Sequence, residues 1–590
     1  MRAKTFTKFG IGLVVASLAA CTVAMPAQAD PASSTFGTLV GVGSDTTQDV
    51  MNGISAAIGG TNGVRIASYD ATGGQKITTR NGGTEIFRPN GSGNGRDVLR
   101  VAIGNLTTVS ATVNTVPYIW NGSDTSGQVD FARSSGGPTT AVANGVVTYV
   151  PFGVDAVDYA TSSNSVIPQL SIGSSADAIS NGVGTASLWS IYNGRVTKVV
   201  TATNGGAYLK VVDNSYVAAA GETLTPIHAY VPQAGSGTRS FWITKVGITE
   251  PQITAQTVPV SATTPGGVAV QENDGTALAG DAGAIVPFSI GQWVSQANAL
   301  PGVTDRRNGA VLGQLEGQAP TVGSGSSFEL NPAFTAITRK VFNIVPSALA
   351  DDGDSKINWA FVGTGSLVCS QEDVIKRYGF GLLTATSGPN ACGDTSLRAY
   401  APATSSIVVS GAATVKYGSA VTVTATVTSN NDGGGSVTFY NGEKELSTVK
   451  VAAGKTTAAL TVKPTSISDL NITADFTPAL TGVDQASSTA LPVDVQAATS
   501  KVTATAASVK ASKAPVVKVT VTATGVTPTG KVTIKEGTKT LKSNVTLSAG
   551  KATVTLPKLK AGTHKLVVSY LGSTTVAAGK SATVTLKVTK

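Results

Sequence analysis

The stretch "HAYVPQAGSGTRSFW", residues 228–242, sets Gly235, Ser236, Gly237, Thr238 and Arg239 directly ahead of the aromatic pair Phe241 and Trp242. Glycines let a backbone approach a ligand closely. Ser and Thr hydroxyls donate hydrogen bonds, and an arginine offers a fixed fork that matches two oxygens. Such a loop opening a helix suits an anion, because a helix N-terminus leaves N–H groups free and carries partial positive charge. Three further segments carry the same chemistry. Ser44, Asp45, Thr46 and Thr47 follow the apolar run "FGTLVGVG". Ser92 and Gly93 lie in "NGSGNG", and Arg133, Ser134 and Ser135 lie in "VDFARSSGGP". One such loop reads as a capped helix after a turn, whereas a set of them in one stretch of chain reads as an anion site. None matches G-x-x-x-x-G-K-[ST] or G-x-G-x-x-G, so nucleotide phosphate loops of those kinds are excluded.

The elements that must present these loops are strand-loop-helix units. "FGTLVGVG" (36–43) reads as an apolar strand, and Val50, Met51, Ile54, Ala57 and Ile58 then recur on one face of a helix. Ser44, Asp45 and Thr46 stand where that helix needs its N-cap. Val98, Leu99, Ala102 and Ile103 follow the second loop at helical spacing, and Phe241, Ile243 and Val246 follow the loop of the first-quoted stretch.

Catalytic residues are not found. The only histidines are His228 and His564. The first reads as a strand histidine and the second as a solvent-facing one. No G-x-S-x-G elbow appears, and no His and Cys cluster has metal-ligand spacing. "DDGD" (351–354) reads as a solvated turn. No nucleic-acid motif is present.

From about Ala401 the texture changes to period-two runs such as "AVTVTATVTS" and "SATVTLKVTK", broken by Gly, Asn and Pro. Segments 435–460 and 529–556 share the order G-x-V-T-[FI], a Gly turn, then A-G-K and another strand. Such a repeat reads as two all-β sandwiches that resemble bacterial Ig-like repeats. The expected fold class is therefore multidomain, an α/β body followed by two all-β Ig-like sandwiches. The expected boundaries are a signal peptide over 1–29, the body over 30–400, and sandwiches over 401–497 and 498–590. The 590-residue chain carries +9 at pH 7. Fifteen lysines against Glu536 after residue 498 make the last sandwich strongly basic. Its face reads either as a dock for anionic cell-wall polymers, weakened by salt, or as a solvated surface.

Arg2, Lys4 and Lys8, then "FGIGLVVASLAA" and "AQA", read as a secretory leader cleaved after Ala29. "LAAC" also resembles a lipobox, which would make Cys21 a lipid anchor. The expected place is outside a bacterial cell, secreted or on the surface. There, the two remaining cysteines, Cys369 and Cys392, are expected to pair.

Over residues 36–400 the ordered segments resemble the phosphate-binding component of bacterial phosphate ABC importers, a PstS-like protein of type II periplasmic-binding fold. "GVGSDTT", "NGSGNG", "VDFARSS", "LWSIYNGRVTK" (188–198), "GSGTR" and "GAIVPFSIGQWVSQ" (283–296) carry the resemblance. It implies two α/β lobes that close on inorganic phosphate or a similar oxyanion, an ABC permease as partner, no cofactor and no catalysis. Ser44, Thr46 and Thr47 would donate from the first loop, Ser92 from the second, and Ser236, Gly237 and Thr238 from the third. The family's arginine before G-S-G-T is replaced by Val231, Pro232 and Gln233, which leaves Arg239 or Arg133 to supply the charge. The family's carboxylate at the end of D-F-G-A-S-D is Ser135 here, and Asp45 is the nearby substitute or else the helix cap. Two other readings stand beside this one. They are a secreted phosphatase or hydrolase on the same fold, and a surface adhesion protein whose first domain no longer binds phosphate.

Overall fold

The structure is a computed structural model that describes residues 30–31, 36–113, 116–202, 209–429 and 434–590. The leader and Cys21 lie outside the described residues. The chain is multidomain and mostly β.

The N-terminal body is organised by one ten-stranded sheet. Its main path uses eight strands: β1 (Leu39–Gly43), β2 (Ile66–Ser68), β3 (Phe131–Ser134), β4 (Val147–Thr161), β5 (His228–Tyr230), β6 (Val260–Ser261), β7 (Ala284–Ser289) and β8 (Thr338–Pro346). The spatial order is β6-β5-β7-β4-β8-β3-β1-β2. β1 is parallel to β2 and β3, and β5 is parallel to β6 and β7. Between these parallel triplets run the antiparallel strands β4 and β8. β4 has 15 residues, which at ~3.3 Å per residue reach about 50 Å. Its first part pairs with β8 (Val147↔Pro346 to Ala156↔Thr338) and its last part with β7 (Val157↔Ser289 to Thr161↔Ile285). One strand therefore runs through both halves of the sheet.

Each half has its own apolar core. Helix α1 (Gln48–Ile58) buries Val50, Met51, Ile54 and Ile58 against Phe131, Phe361 and Tyr378. Ala57, expected on that face, is exposed. Helix α2 (Ser92–Ala102) buries Val98, Leu99 and Ala102 on the other side of the same half. In the second half, α3 (Gly237–Lys245) sinks Trp242 and Ile243 among Leu188, Tyr192, Val231 and Ile290. The Trp242 ring meets Tyr192 edge-on at 5.7 Å. Helix α4 (Ile290–Ala297) follows β7 directly.

The C-terminal part holds two sandwiches of the same topology. In the first, Ser405–Gly411, Val421–Ser429 and Thr457–Val462 form one sheet, and the facing sheet runs from Thr414–Lys416 to Lys444–Val451. In the second, Lys501–Ala506, Val516–Thr522 and Lys551–Thr555 repeat the arrangement, faced by the sheet from Val509–Lys510 to Lys539–Thr546. The alternation sets the faces: Val532, Ile534, Leu566 and Leu586 are buried, while Lys531, Lys535, Lys565 and Lys587 on the same sheet are exposed. His564, expected to face solvent, is largely covered. Its ring nitrogens meet Glu536 at 2.8 Å and the Lys560 carbonyl at 2.8 Å, and these bonds raise its pKa. Among the described residues, no helix is long and apolar enough to cross a membrane.

Cys369 and Cys392 form a disulfide with Cα atoms 5.9 Å apart and a sequence separation of 23. Cys369 is buried and Cys392 packs against the α1 core. A closed loop of this length is worth roughly 3 kcal/mol on the chain-entropy account. Reduction should lower the melting temperature of the N-terminal body by a few degrees and leave the sandwiches unchanged. Calorimetric scans with and without reductant check this, and an unshifted first transition would count against it.

Candidate functional site

Three of the quoted loops follow parallel strands of the large sheet, β1, β3 and β5, and the Ser92 loop follows the short antiparallel pair Lys76–Ile77 and Ile86–Phe87. β1 ends at Gly43, and Ser44 to Thr47 then turn the chain into α1. All four loop residues are buried. Their neighbour α2 approaches because it begins with small residues. A Cβ on Gly95 would lie 2.4 Å from the Gly43 Cα. From the second half, α3 begins at Gly237, where a Cβ would fall 2.4 Å from Ser135 Oγ and 2.5 Å from Ser92 Oγ. Only glycine lets the "GSGTR" loop meet the other loops this closely. The Gly93 N–H donates to the Gly235 carbonyl at 3.1 Å.

Most of the expected residues come together. Ser92 Oγ and Ser135 Oγ are 3.2 Å apart, and Ser135 N–H donates to Ser92 Oγ at 3.1 Å. The hydroxyls of Thr46 and Thr238, one from each half, are 3.2 Å apart. The hydroxyls of Ser44 and Thr47 are buried with no hydrogen-bond partner among the described residues. Ser236 caps α3, its Oγ accepting from Arg239 N–H at 3.0 Å.

Four expectations need correction. Arg239 does not supply the charge. Its fork lies on Glu250, with Nε at 2.8 Å from Oε1, and its Nη1 donates to the Pro232 carbonyl at 2.9 Å. Proline and the distant carboxylate draw the side chain away from the loop. Arg133 does not supply it either. It lies beneath the first loop, donating from Nε to the Ser44 carbonyl at 3.1 Å and from Nη1 to Ser68 Oγ at 2.9 Å, and burial pushes its pKa down to about 10. Ser134 turns to the Gly136 carbonyl at 2.7 Å. Asp45 is not the cap of α1, since Thr47 holds that position. Both Asp45 oxygens are engaged, with Asn273 at 3.0 Å and Arg306 at 2.9 Å, and burial raises its pKa to about 6.

A further arginine, Arg339 on β8, reaches the loops. Its side chain is 3% exposed and its partner Asp155, on β4, is 0% exposed. Arg339 Nε and Nη2 donate to Asp155 Oδ2 at 3.0 and 2.8 Å, and Nη2 reaches Thr238 Oγ1 at 2.8 Å. Nη1 has no partner. Ser289 Oγ donates to the other Asp155 oxygen at 2.6 Å. Glu272 completes the cluster. Its Oε1 accepts from Thr46 Oγ1 at 2.8 Å, from Thr238 N–H at 3.2 Å and from the Thr238 hydroxyl, while Oε2 is buried without a partner. The signal for Arg339 and Asp155 was present in the sequence. Each is a charge inside an apolar strand run, "TRKVFNIVP" and "VTYVPFGVDAVDYAT", and buried charges are rarely left unpaired.

The candidate histidine His228 is elsewhere, exposed and 2.6 Å from Asp281. Among the described residues no group of three or more His, Cys, Asp or Glu side chains is placed to hold a metal. The cluster can therefore supply hydroxyl donors, helix N-termini, one guanidinium and one carboxylate. Such a set can donate hydrogen bonds to an anionic group and accept one from it.

Residues 502–589 match the bacterial Ig-like domain family (group 3). No curated protein matches the chain. Among solved structures, the CARDB domain of a Pyrococcus furiosus protein in complex with di-metal ions shares 13% identity at a TM-score of 0.14, covering 16% of this chain and 89% of that one. A putative membrane-anchored protein from Corynebacterium diphtheriae shares 13% at 0.15, covering 31% of this chain and 59% of that one. The sulfur carrier protein SoxY from Chlorobium limicola shares 12% at 0.13, covering 16% and 86%.

Asp49, in the first turn of α1, is buried, and burial raises its pKa from 3.8 to about 7. Below about pH 4 the carboxyl is protonated whether the chain is folded or not. Between there and about pH 7 the unfolded chain ionises while the folded one keeps its proton, so stability falls as pH rises. Asp49→Asn keeps the shape and removes the titration. The variant should melt above the wild type at pH 8, by on the order of 2–4 kcal/mol, and close to it at pH 4. Calorimetry across that range checks this; parallel pH profiles would contradict it.

Proposed function

We propose that the N-terminal body is a PstS-like oxyanion receptor of the two-lobed periplasmic-binding kind, with β4 and β8 as the hinge strands. Its ligand is phosphate or a close tetrahedral analogue, taken between the halves and released unchanged to an ABC-type permease. The observation that carries this reading is the set of buried polar atoms left unpaired around one cluster. Among the described residues Ser44 Oγ, Thr47 Oγ1, Arg339 Nη1, Arg133 Nη2 and Arg306 Nη1 are donors without acceptors, and Glu272 Oε2 is an acceptor without a donor. Each unpaired buried group costs about 1–3 kcal/mol, so each calls for a partner.

Monohydrogen phosphate answers both needs. Its oxygens accept from the hydroxyls and the guanidinium, and its P–OH donates to Glu272. Sulfate at neutral pH has no proton for that carboxylate and is repelled. Glu272 thus takes the role that the sequence offered to Asp45, and Arg339 the role offered to Arg239 or Arg133. The reading of the body as an exported, cell-surface receptor is supported by the Ig-like match over 502–589, with the sandwiches as spacers. The exposed lysines of the last sandwich suit contact with anionic wall polymers.

A second reading has its own observation. Glu272 Oε1 already accepts from Thr46 and Thr238, so the carboxylate can be a permanent internal anion in a body that binds nothing and serves adhesion. Calorimetric titration of the mature chain separates the two. The receptor reading expects phosphate and arsenate to bind and sulfate to fail, with Glu272→Gln admitting sulfate. Arg339→Lys should weaken phosphate by about ten- to a hundredfold, the worth of a charge-assisted hydrogen bond at about 1.5–3 kcal/mol. A chromogenic phosphoester should stay unhydrolysed. Absence of phosphate binding in both the wild type and the Gln variant would leave the adhesion reading in place.

A further inference from the structure

In the last sandwich the strands Val509–Lys510, Val584–Thr589, Gly562–Tyr570 and Lys531–Glu536 lie side by side in that order. Ile534, Leu566, Leu586 and Val588 point into the core, so Lys535, Lys565 and Lys587 beside them point out and are exposed. Lys510 pairs with Thr589 on the same outer face and is exposed as well. The register then fixes how these lysines are arranged. Thr563 pairs with Lys587, and Val567 pairs with Lys535. Lys565 therefore lies diagonal to both Lys587 and Lys535. Lys510, beside Thr589, is likewise diagonal to Lys587. The four form one oblique line across four adjacent strands. Diagonal neighbours are about 7–8 Å apart, so the line is on the order of 20 Å long.

The fold does not require this line. The first sandwich has the same strand order, and its pairs Lys416↔Gln496, Asn471↔Pro492 and Tyr440↔Thr473 match Lys510↔Thr589, Lys565↔Thr585 and Lys535↔Val567. The corresponding line there is Lys416, Asp494, Asn471 and Tyr440. That sandwich, over 401–497, carries five lysines against seven acids, whereas the second carries fifteen against Glu536. Glu536 is itself held by His564 at 2.8 Å. Like charges in a row repel one another, so the row is kept for something other than stability. The one aromatic residue after 498 is Tyr570, and it is buried. The face thus offers ammoniums and small hydroxyls, with no ring on which a base can stack.

We propose that this line of lysines docks a linear phosphodiester polymer with acyclic polyol repeats, its successive phosphates lying along the row. The inference rests on the reading of the last sandwich as the part that meets wall polymers, and it is independent of the oxyanion reading of the body. A straight row of cations fits a chain that repeats its charge better than it fits a compact anion. Lysine meets phosphate as a point charge with three donors. Without an aromatic platform, a polymer that carries bases forfeits its stacking, and a ring-free polyol phosphate forfeits nothing. Neighbouring lysines lie within the screening length of about 10 Å at 0.1 M salt, so they act on the polymer together. Binding should fall steeply as salt rises, because each phosphate met releases a counterion.

The test is calorimetric titration of the full mature chain with poly(glycerol phosphate) at several salt concentrations. Two triple variants each remove three charges. Lys535→Gln, Lys565→Gln and Lys587→Gln break the line. Lys501→Gln, Lys518→Gln and Lys551→Gln remove exposed lysines from the opposite sheet, where Lys501 pairs with Thr522 and no line forms. The first variant should weaken the polymer by about tenfold or more and flatten its salt dependence, and the second should weaken it less than about threefold. An unchanged melting transition of the last sandwich reports that each variant is folded. Equal weakening in the two variants overturns the line and leaves the basic sandwich as a general polyanion contact. Oligothymidylate or polygalacturonate bound as tightly as poly(glycerol phosphate) overturns the choice of polymer. A wild type that binds none of the three overturns the line and the wall-contact reading together.

Discussion

A guanidinium with only 3% of its side chain exposed cannot remain without a counter-charge, and the body is built around meeting that need for Arg339. The partner Asp155 stands on β4, which runs through both halves of the sheet, and β8 pairs along its first part, from Val147 to Ala156. Breaking such a pair by removing one member costs about 3–5 kcal/mol, so the two strands are tied at the crossing. Ser289, at the start of α4, satisfies the other Asp155 oxygen. Gln292, one turn further along α4, donates to the Asp45 and Thr46 carbonyls at 3.2 and 3.0 Å. The first loop is therefore positioned by the second half, and Arg339, one of three arginines at the loops with Arg133 and Arg306, is held by the strands between them. Opening the halves would separate Thr46 from Thr238 while Arg339 stayed on Asp155. On the proposed reading this keeps the charge in place and lets the donors move.

The burial of so many carboxyls around the same loops has a physical cost and an electrostatic use. Asp45, Asp49 and Asp155 all have raised pKa values because they are buried, and Arg306 and Arg339 oppose that shift. Arginines confined between carboxylates have their charge largely answered within the chain. On the proposed reading a ligand finds a nearly neutral cluster rich in donors, which favours an anion able to share a proton over one that brings only charge.

Local patterns in the sequence placed the elements well. The apolar run 36–43 and the periodic residues after it become Leu39–Gly43 and Gln48–Ile58, and the alternation after residue 401 becomes two sandwiches with the same strand order. Residue type and spacing also found the hydroxyls, since Thr46, Ser92, Ser135 and Thr238 do meet. The direction of long side chains was not legible. Arg239 has the right neighbours in sequence, but Glu250 lies eleven residues away and takes its fork. Arg339 and Glu272 join the cluster over |i−j| of 101 and 34 from Thr238, and no local pattern encodes such a pairing. What the sequence did contain was the anomaly of charges within apolar strands, which marks burial without naming the partner.

The central claim is that the cluster around Arg339 holds a tetrahedral oxyanion. Crystals of the mature chain grown with arsenate test it most directly, because arsenic scatters anomalously. The account predicts one strong peak within hydrogen-bond distance of the hydroxyls of Thr46 and Thr238, with Arg339 Nη1 and Glu272 turned to it. No peak there, with Glu272 still bonded to both threonines, would contradict it.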